Sequence, residues 1–294
     1  MRRFVRTILK IVGVLLAFVA VLASYLAITF FNDQKIQVED QKLMVKSDEE
    51  LIGEHLYIDR GGEEPIDVNF YARTTSEKLP LVINIHGGAF IAGDADTLDT
   101  QSDRISKNWN VNVATVNYKL NWDRYDKPYA VTEIADTVGY FVARSDQYHV
   151  DPERIFLLGY SAGGYYAMAA TAELAKDNIL VAGQVLCYAF LGGMVDTYNS
   201  LDASVKKRIP PALFVLAGDE PIGKGSLGYE EVLRASGIHT DVKVYGGVLH
   251  GFIEENNPEY AQLHEKNRSS KSPEAEIVAR DAEAYIKAWI YAKR

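Results

Sequence analysis

The sequence predicts an α/β protein, with one mainly parallel sheet of eight strands covered by helices on both faces. Three observations predict it. Near-continuous apolar runs recur at 79–85, 111–116, 155–158, 185–190 and 212–216, as strands buried on both faces require. Apolar residues at helical spacing fill stretches between them, at 130–144, 162–175 and 227–235. Two segments of alternating polarity, 54–59 and 66–71, come first with Gly61 and Gly62 between them, and read as an antiparallel hairpin with one wet face. A hairpin followed by alternating strand and helix gives a mixed, mostly parallel sheet.

In chain order, the first element lies outside that pattern. Arg2, Arg3, Arg6 and Lys10 precede 21 residues, 11–31, without a charge. As a helix this run spans about 30 Å, the thickness of a bilayer hydrocarbon core. A cleaved signal usually has a shorter apolar core and a small-residue cut site; residues 23–25 offer only a weak one. Residues 1–31 therefore read as an uncleaved membrane anchor, with secretion after cleavage as the alternative. The basic flank stays in the cytoplasm, so the remaining chain is expected outside it. Polar residues 32–53 read as a juxtamembrane linker, and 54–294 as one folded domain. The last strand is 241–245. The last helix, 272–291, opens on Ser272 as cap with Pro273 at the first helical position.

Composition narrows the function. The 294 residues carry 31 basic and 40 acidic side chains, a net charge of −9, with no basic face outside the extreme N-terminus. Nucleic acid is not an expected partner. The single cysteine, Cys187, excludes an intrachain disulfide framework and sits in an apolar run that suits a buried small hydrophobe. No His/Cys/Asp cluster has metal-ligand spacing, so no metal and no organic cofactor is expected.

The chemistry lies in four turns. Gly159-Tyr160-Ser161-Ala162-Gly163 joins an apolar strand to a helix of small residues. A turn this sharp strains the serine backbone and leaves no room for side chains two positions away. A serine hydroxyl needs a base, and the base an orienting acid, in the chain order Ser, acid, His. His250 follows the last strand, between Leu249 and Gly251, and suits the base. Asp219 and Glu220 follow the strand 212–216, and spacing alone does not choose between them. The turn His86-Gly87-Gly88-Ala89-Phe90 follows the strand 79–85 and suits an oxyanion hole, to which Ala162, next after the serine, adds its own N–H. His86 reads as a residue that pins this turn.

These four motifs in this order resemble the α/β-hydrolase superfamily, and within it the esterase/lipase branch of hormone-sensitive-lipase-like carboxylesterases, over roughly residues 54–294. The resemblance implies Ser161 as nucleophile, His250 as general base and Glu220 as triad acid, with Asp219 as second choice. It places oxyanion donors at Gly88 and Ala89, where the branch usually has a third glycine instead of Ala89. The implied activity is hydrolysis of small-molecule carboxylic esters through an acyl-enzyme. A peptidase or acyltransferase on the same fold, and a non-catalytic tethered binding module, are the alternatives. The insertion 191–210 is short, so a small cap and an open site are expected, with Trp122, Tyr125, Tyr188, Phe190 and Tyr198 as candidate pocket walls.

Overall fold

The computed structural model describes residues 43–292 apart from 121–126, 219, 264 and 266–268; before residue 43 it describes only 19–25, 28–29, 32, 35–36 and 39–40. The eight strands are β1 (Glu54–Ile58), β2 (Ile66–Tyr71), β3 (Leu79–Ile85), β4 (Asn112–Asn117), β5 (Val150–Tyr160), β6 (Gly183–Cys187), β7 (Ala212–Ala217) and β8 (Thr240–Tyr245). They form one sheet in the order β1-β2-β4-β3-β5-β6-β7-β8. β2 runs antiparallel to both its neighbours, and every other pair is parallel. The parallel strands β3, β6 and β7 are buried throughout, which is why their sequences lack alternation.

The helices are α1 (Asp99–Trp109), α2 (Lys127–Ala143), α3 (Ala162–Lys176), α4 (Met194–Ser200), α5 (Ala203–Lys206), α6 (Pro221–Lys224), α7 (Leu227–Ala235) and α8 (Pro273–Ala292). They divide the core in two. On one face of the sheet, Ile134, Val138 and Phe141 of α2, with Tyr166, Ala170 and Leu174 of α3, pack on Ile83, Leu157 and Leu186. On the other, Ile105 and Trp109 of α1 meet Ala279, Ala282, Ile286 and Trp289 of α8 over Val82, Leu158 and Val185. Each fully buried large aliphatic or aromatic side chain adds about 1.5–3 kcal/mol. The stripe at 275, 279, 282, 286 and 289 alternates steps of four and three, the spacing of one helical face. Ser272 caps that helix, its Oγ accepting the Ala275 N–H at 3.0 Å.

Two features differ from the sequence reading. Helix α1 was not predicted, because the first half of its buried side is polar: Ser102 bonds Asn84 and Thr115, and Asp99 accepts from Tyr71. A hydrophobic pattern cannot reveal a face satisfied by hydrogen bonds. The run 185–190 is strand only to Cys187, since Tyr188 turns at φ 37° and leaves the sheet. In the insertion after β6, Met194 and Tyr198 of α4 are buried in the core.

Most of the anchor expected at 11–31 lies outside the described residues. Residues 19–25, 28 and 29 are helical, and no helix among the described residues is long and apolar enough to cross a membrane. Residues 46–53 are bonded to the domain that follows. The Lys46 N–H donates to Asp96 at 2.7 Å, its ammonium pairs with Asp99 at 2.6 Å and Glu259 at 3.1 Å, and the Ile52 N–H donates to Asp99 at 3.1 Å.

Candidate active site

Ser161 stands between β5 and α3 at φ 50°, ψ −112°, a strained conformation for a residue with a side chain. The neighbouring glycines are there because nothing larger fits. A Cβ on Gly159 would lie 2.2 Å from the Gly163 carbonyl oxygen, and one on Gly163 would lie 2.2 Å from that of Ile85. The Ser161 N–H is tied to the Cys187 carbonyl at 2.9 Å, so the turn is braced by the end of β6.

His250 follows β8 by a short turn through Gly246 and Gly247. Its Nε2 lies 2.8 Å from Ser161 Oγ, although the two residues are 89 positions apart. Its Nδ1 faces Glu220 Oε2 at 3.6 Å. That is longer than a hydrogen bond, and catalytic contacts of this kind commonly tighten only when substrate is bound. Glu220 is held by its own turn. It caps α6, with Oε1 accepting the Gly223 N–H at 2.8 Å and Oε2 the Ile222 N–H at 2.6 Å. Asp219 lies outside the described residues. Burial lowers the His250 pKa below its ordinary 6.5, while Glu220 pulls it back up, so the imidazole is neutral at pH 7. The Tyr188 ring packs against it, centroids 5.1 Å apart.

The oxyanion turn is built differently. His86 is fully buried, stacks on Tyr118 with centroids 4.2 Å apart, and donates from Nδ1 to the Gly87 carbonyl at 2.7 Å. The Tyr118 hydroxyl donates to the His86 carbonyl at 2.9 Å. Burial pushes the His86 pKa down to about 4, so the ring is neutral and serves as a brace, as the sequence suggests. Gly88 lies at φ 120°, where a Cβ would sit 1.9 Å from the Ala92 carbonyl oxygen. Ala89 and Phe90 follow at φ 53° and 70°, both in the left-handed region.

Gly88, Ala89, Ser161, Ala162 and His250 all line one cavity of about 520 Å³, a size usual for small-molecule sites. Of the candidate aromatic walls, Phe190 lines it. Tyr188 and Tyr198 belong to the core, and Trp122 and Tyr125 lie outside the described residues. The remaining wall comes from residues the sequence did not reveal. Asp40 and Met44 enter from the N-terminal segment, and Glu254, Glu255, Tyr260 and Leu263 from the chain after His250. Among the described residues, no group of three or more His, Cys, Asp or Glu could hold a metal ion.

Comparison with known proteins agrees with this fold. A family described as having the alpha/beta hydrolase fold matches residues 82–203. A carboxylic ester hydrolase, LipN, of Mycobacterium tuberculosis (strain ATCC 25618 / H37Rv) is 25% identical over 231 residues, covering 64% of this chain and 61% of LipN. The chain thus spans less than two thirds of that relative. An arylesterase of Saccharolobus solfataricus is 25% identical over 225 residues, covering 64% of this chain and 73% of the arylesterase. Among solved structures, the hyperthermophilic esterase of the archaeon Pyrobaculum calidifontis superposes with a TM-score of 0.66 at 22% identity, covering 88% of this chain and 90% of the esterase. Residues 82–203 thus match a family with the alpha/beta hydrolase fold, and the chain is similar to esterases.

Proposed function

We propose that this protein is a serine carboxylesterase that cleaves small-molecule esters by a Ser-His-acid triad and an acyl-enzyme. Ser161 Oγ attacks the ester carbonyl as His250 Nε2 takes its proton. Glu220 keeps the proton of the imidazole on Nδ1 and stabilises the imidazolium. The N–H groups of Gly88, Ala89 and Ala162 receive the oxyanion. The imidazolium then protonates the departing alcohol, and a water activated by His250 releases the acid. The observation that carries this reading is the 2.8 Å contact between His250 Nε2 and Ser161 Oγ on the cavity wall, with a carboxylate behind the ring.

A fluorophosphonate probe and a chain-length series of p-nitrophenyl esters test it. Wild type is expected to label at Ser161 and turn over esters. Ser161→Ala is expected to lose labelling and about 10⁶ in kcat, and Glu220→Gln about 10⁴. An unlabelled wild type would sink the catalytic reading and leave a binding module. Turnover of amides in preference to esters would make the protein a peptidase.

The second part of the proposal is a tether: residues 11–31 hold the catalytic domain to a membrane on its extracytoplasmic side. The uncharged run after four basic residues supports it. So do the exposed Val19, Val21, Leu22 and Tyr25 in the helical stretch 19–25, a surface suited to lipid. The full chain is expected to stay with membranes through alkaline extraction, with its N-terminus intact. Release into the supernatant would end the tether.

A further inference from the structure

One buried group in the cavity wall has no part in the chemistry above. Glu254, four residues after His250, is 4% exposed. Its Oε1 accepts the Gly87 N–H at 2.8 Å, on the peptide just before the proposed oxyanion donors. Oε2 is close enough that a Cβ on Gly87 would lie 2.9 Å from it. The Glu254 N–H donates to the Tyr188 hydroxyl at 3.4 Å. Tyr188 leans on the His250 ring, and Tyr260 acts electrostatically on the Glu254 carboxyl. One residue therefore joins the oxyanion turn, the neighbour of the base and the cavity wall.

The charge around it is one-sided. The ionisable groups that act on it are Glu255 on its own segment, Tyr160 and Cys187 at the ends of β5 and β6, Tyr118 and Tyr188 just past β4 and β6, and Tyr260. None is a cation, and His86 on the adjoining turn is neutral. Burial raises the Glu254 pKa to about 8, with Glu255 adding to the rise and the Gly87 N–H and the two phenols opposing it. A carboxylate here would set a second anion beside the developing oxyanion, whereas the acid form keeps an acceptor for Gly87 and brings none.

We propose that Glu254 is a positioning residue that acts in its neutral form: it fixes the Gly87 peptide, so that the N–H groups after it aim at the oxyanion, and it keeps negative charge away from that oxyanion. This inference rests on the hydrolase reading above.

The test measures kcat and KM against pH for the full chain on p-nitrophenyl acetate, in wild type, Glu254→Gln and Glu254→Ala. The amide of Gln keeps the acceptor and cannot ionise. Wild-type kcat is expected to fall above about pH 8. Glu254→Gln is expected to stay within about threefold of wild type at pH 7 and to hold its rate to pH 9.5, since an amide does not ionise in this range. Glu254→Ala is expected to lose about 30-fold or more in kcat at pH 7 with KM little changed, because the donors lose their aim. Where the Ala variant fails to fold, the Gln profile alone decides. A Gln variant as impaired as Ala, or one with the wild-type alkaline fall, overturns the proposal while the hydrolase reading stands. A wild type without ester turnover or Ser161 labelling defeats the hydrolase reading and this inference with it.

Discussion

The nucleophile turn and the oxyanion turn face each other across the same cavity, and both depend on glycine, but different things hold them. At Gly159 and Gly163 the atoms in the way of a Cβ are backbone, the carbonyls of Gly163 and Ile85 at 2.2 Å. The serine turn is thus wedged between main chains and has no ionisable support. At Gly87 the atom in the way is a carboxylate oxygen of Glu254 at 2.9 Å, and the same turn leans on His86 and Tyr118. The serine turn is fixed by main-chain packing. The 86–90 turn is held by side chains, two of which titrate.

Three changes break or sharpen that contrast. The largest effect is expected at Gly163→Ala. Its methyl has no flexible neighbour to displace, so the loss is about 4 kcal/mol or more, the range of severe overpacking. Urea unfolding checks it, and a loss under about 1 kcal/mol would show that the wedge can relax.

The next effect is a pH dependence confined to the oxyanion turn. The His86 pKa is about 4 in the folded chain and about 6.5 when unfolded. The folded state therefore resists protonation of this ring. Its contribution is intact above pH 6.5 and is lost as pH falls from 6.5 toward 4, by about 3 kcal/mol at most. Its Nε2 has no hydrogen-bond partner among the described residues, so protonation there would bury an unpaired donor as well as a charge. The stability difference between wild type and His86→Asn should narrow across that window. A pH-independent difference would remove His86 from the account.

The smallest effect is expected at Tyr118→Phe. It removes one hydroxyl from the His86 carbonyl and leaves the stacked ring in place. About 1 kcal/mol of stability should go, with a kcat loss of no more than about tenfold and an unchanged KM. A change confined to KM would mean that the hydroxyl serves substrate rather than the turn.

What could be read in advance follows the same division. The glycines of the serine turn, the apolar strands around it and the position of His250 after β8 are local features, each written within a few consecutive residues. The hairpin, the strand 79–85 and the helix 227–235 match the structure closely for that reason. Helix α1 was hidden because Asp99, Ser102 and Ser106 turn polar atoms inward, onto Tyr71, Asn84 and Thr115. Glu254, Tyr260, Asp40 and Met44 were hidden because nothing near them in sequence marks a cavity wall.

The sequence alone determined the sheet, the order of its strands along the chain and the serine–acid–histidine succession, because backbone sterics and hydrophobic periodicity act over neighbouring residues. Tertiary structure brought the Glu220 carboxyl to the imidazole, the Glu254 carboxyl to the Gly87 N–H and distant segments to one cavity wall. Glu220 and Glu254 are the same side chain to a reader of sequence. One caps a short helix beside His250 and the other is buried against Gly87 next to a second acid, and those surroundings suit them to the separate tasks proposed for them.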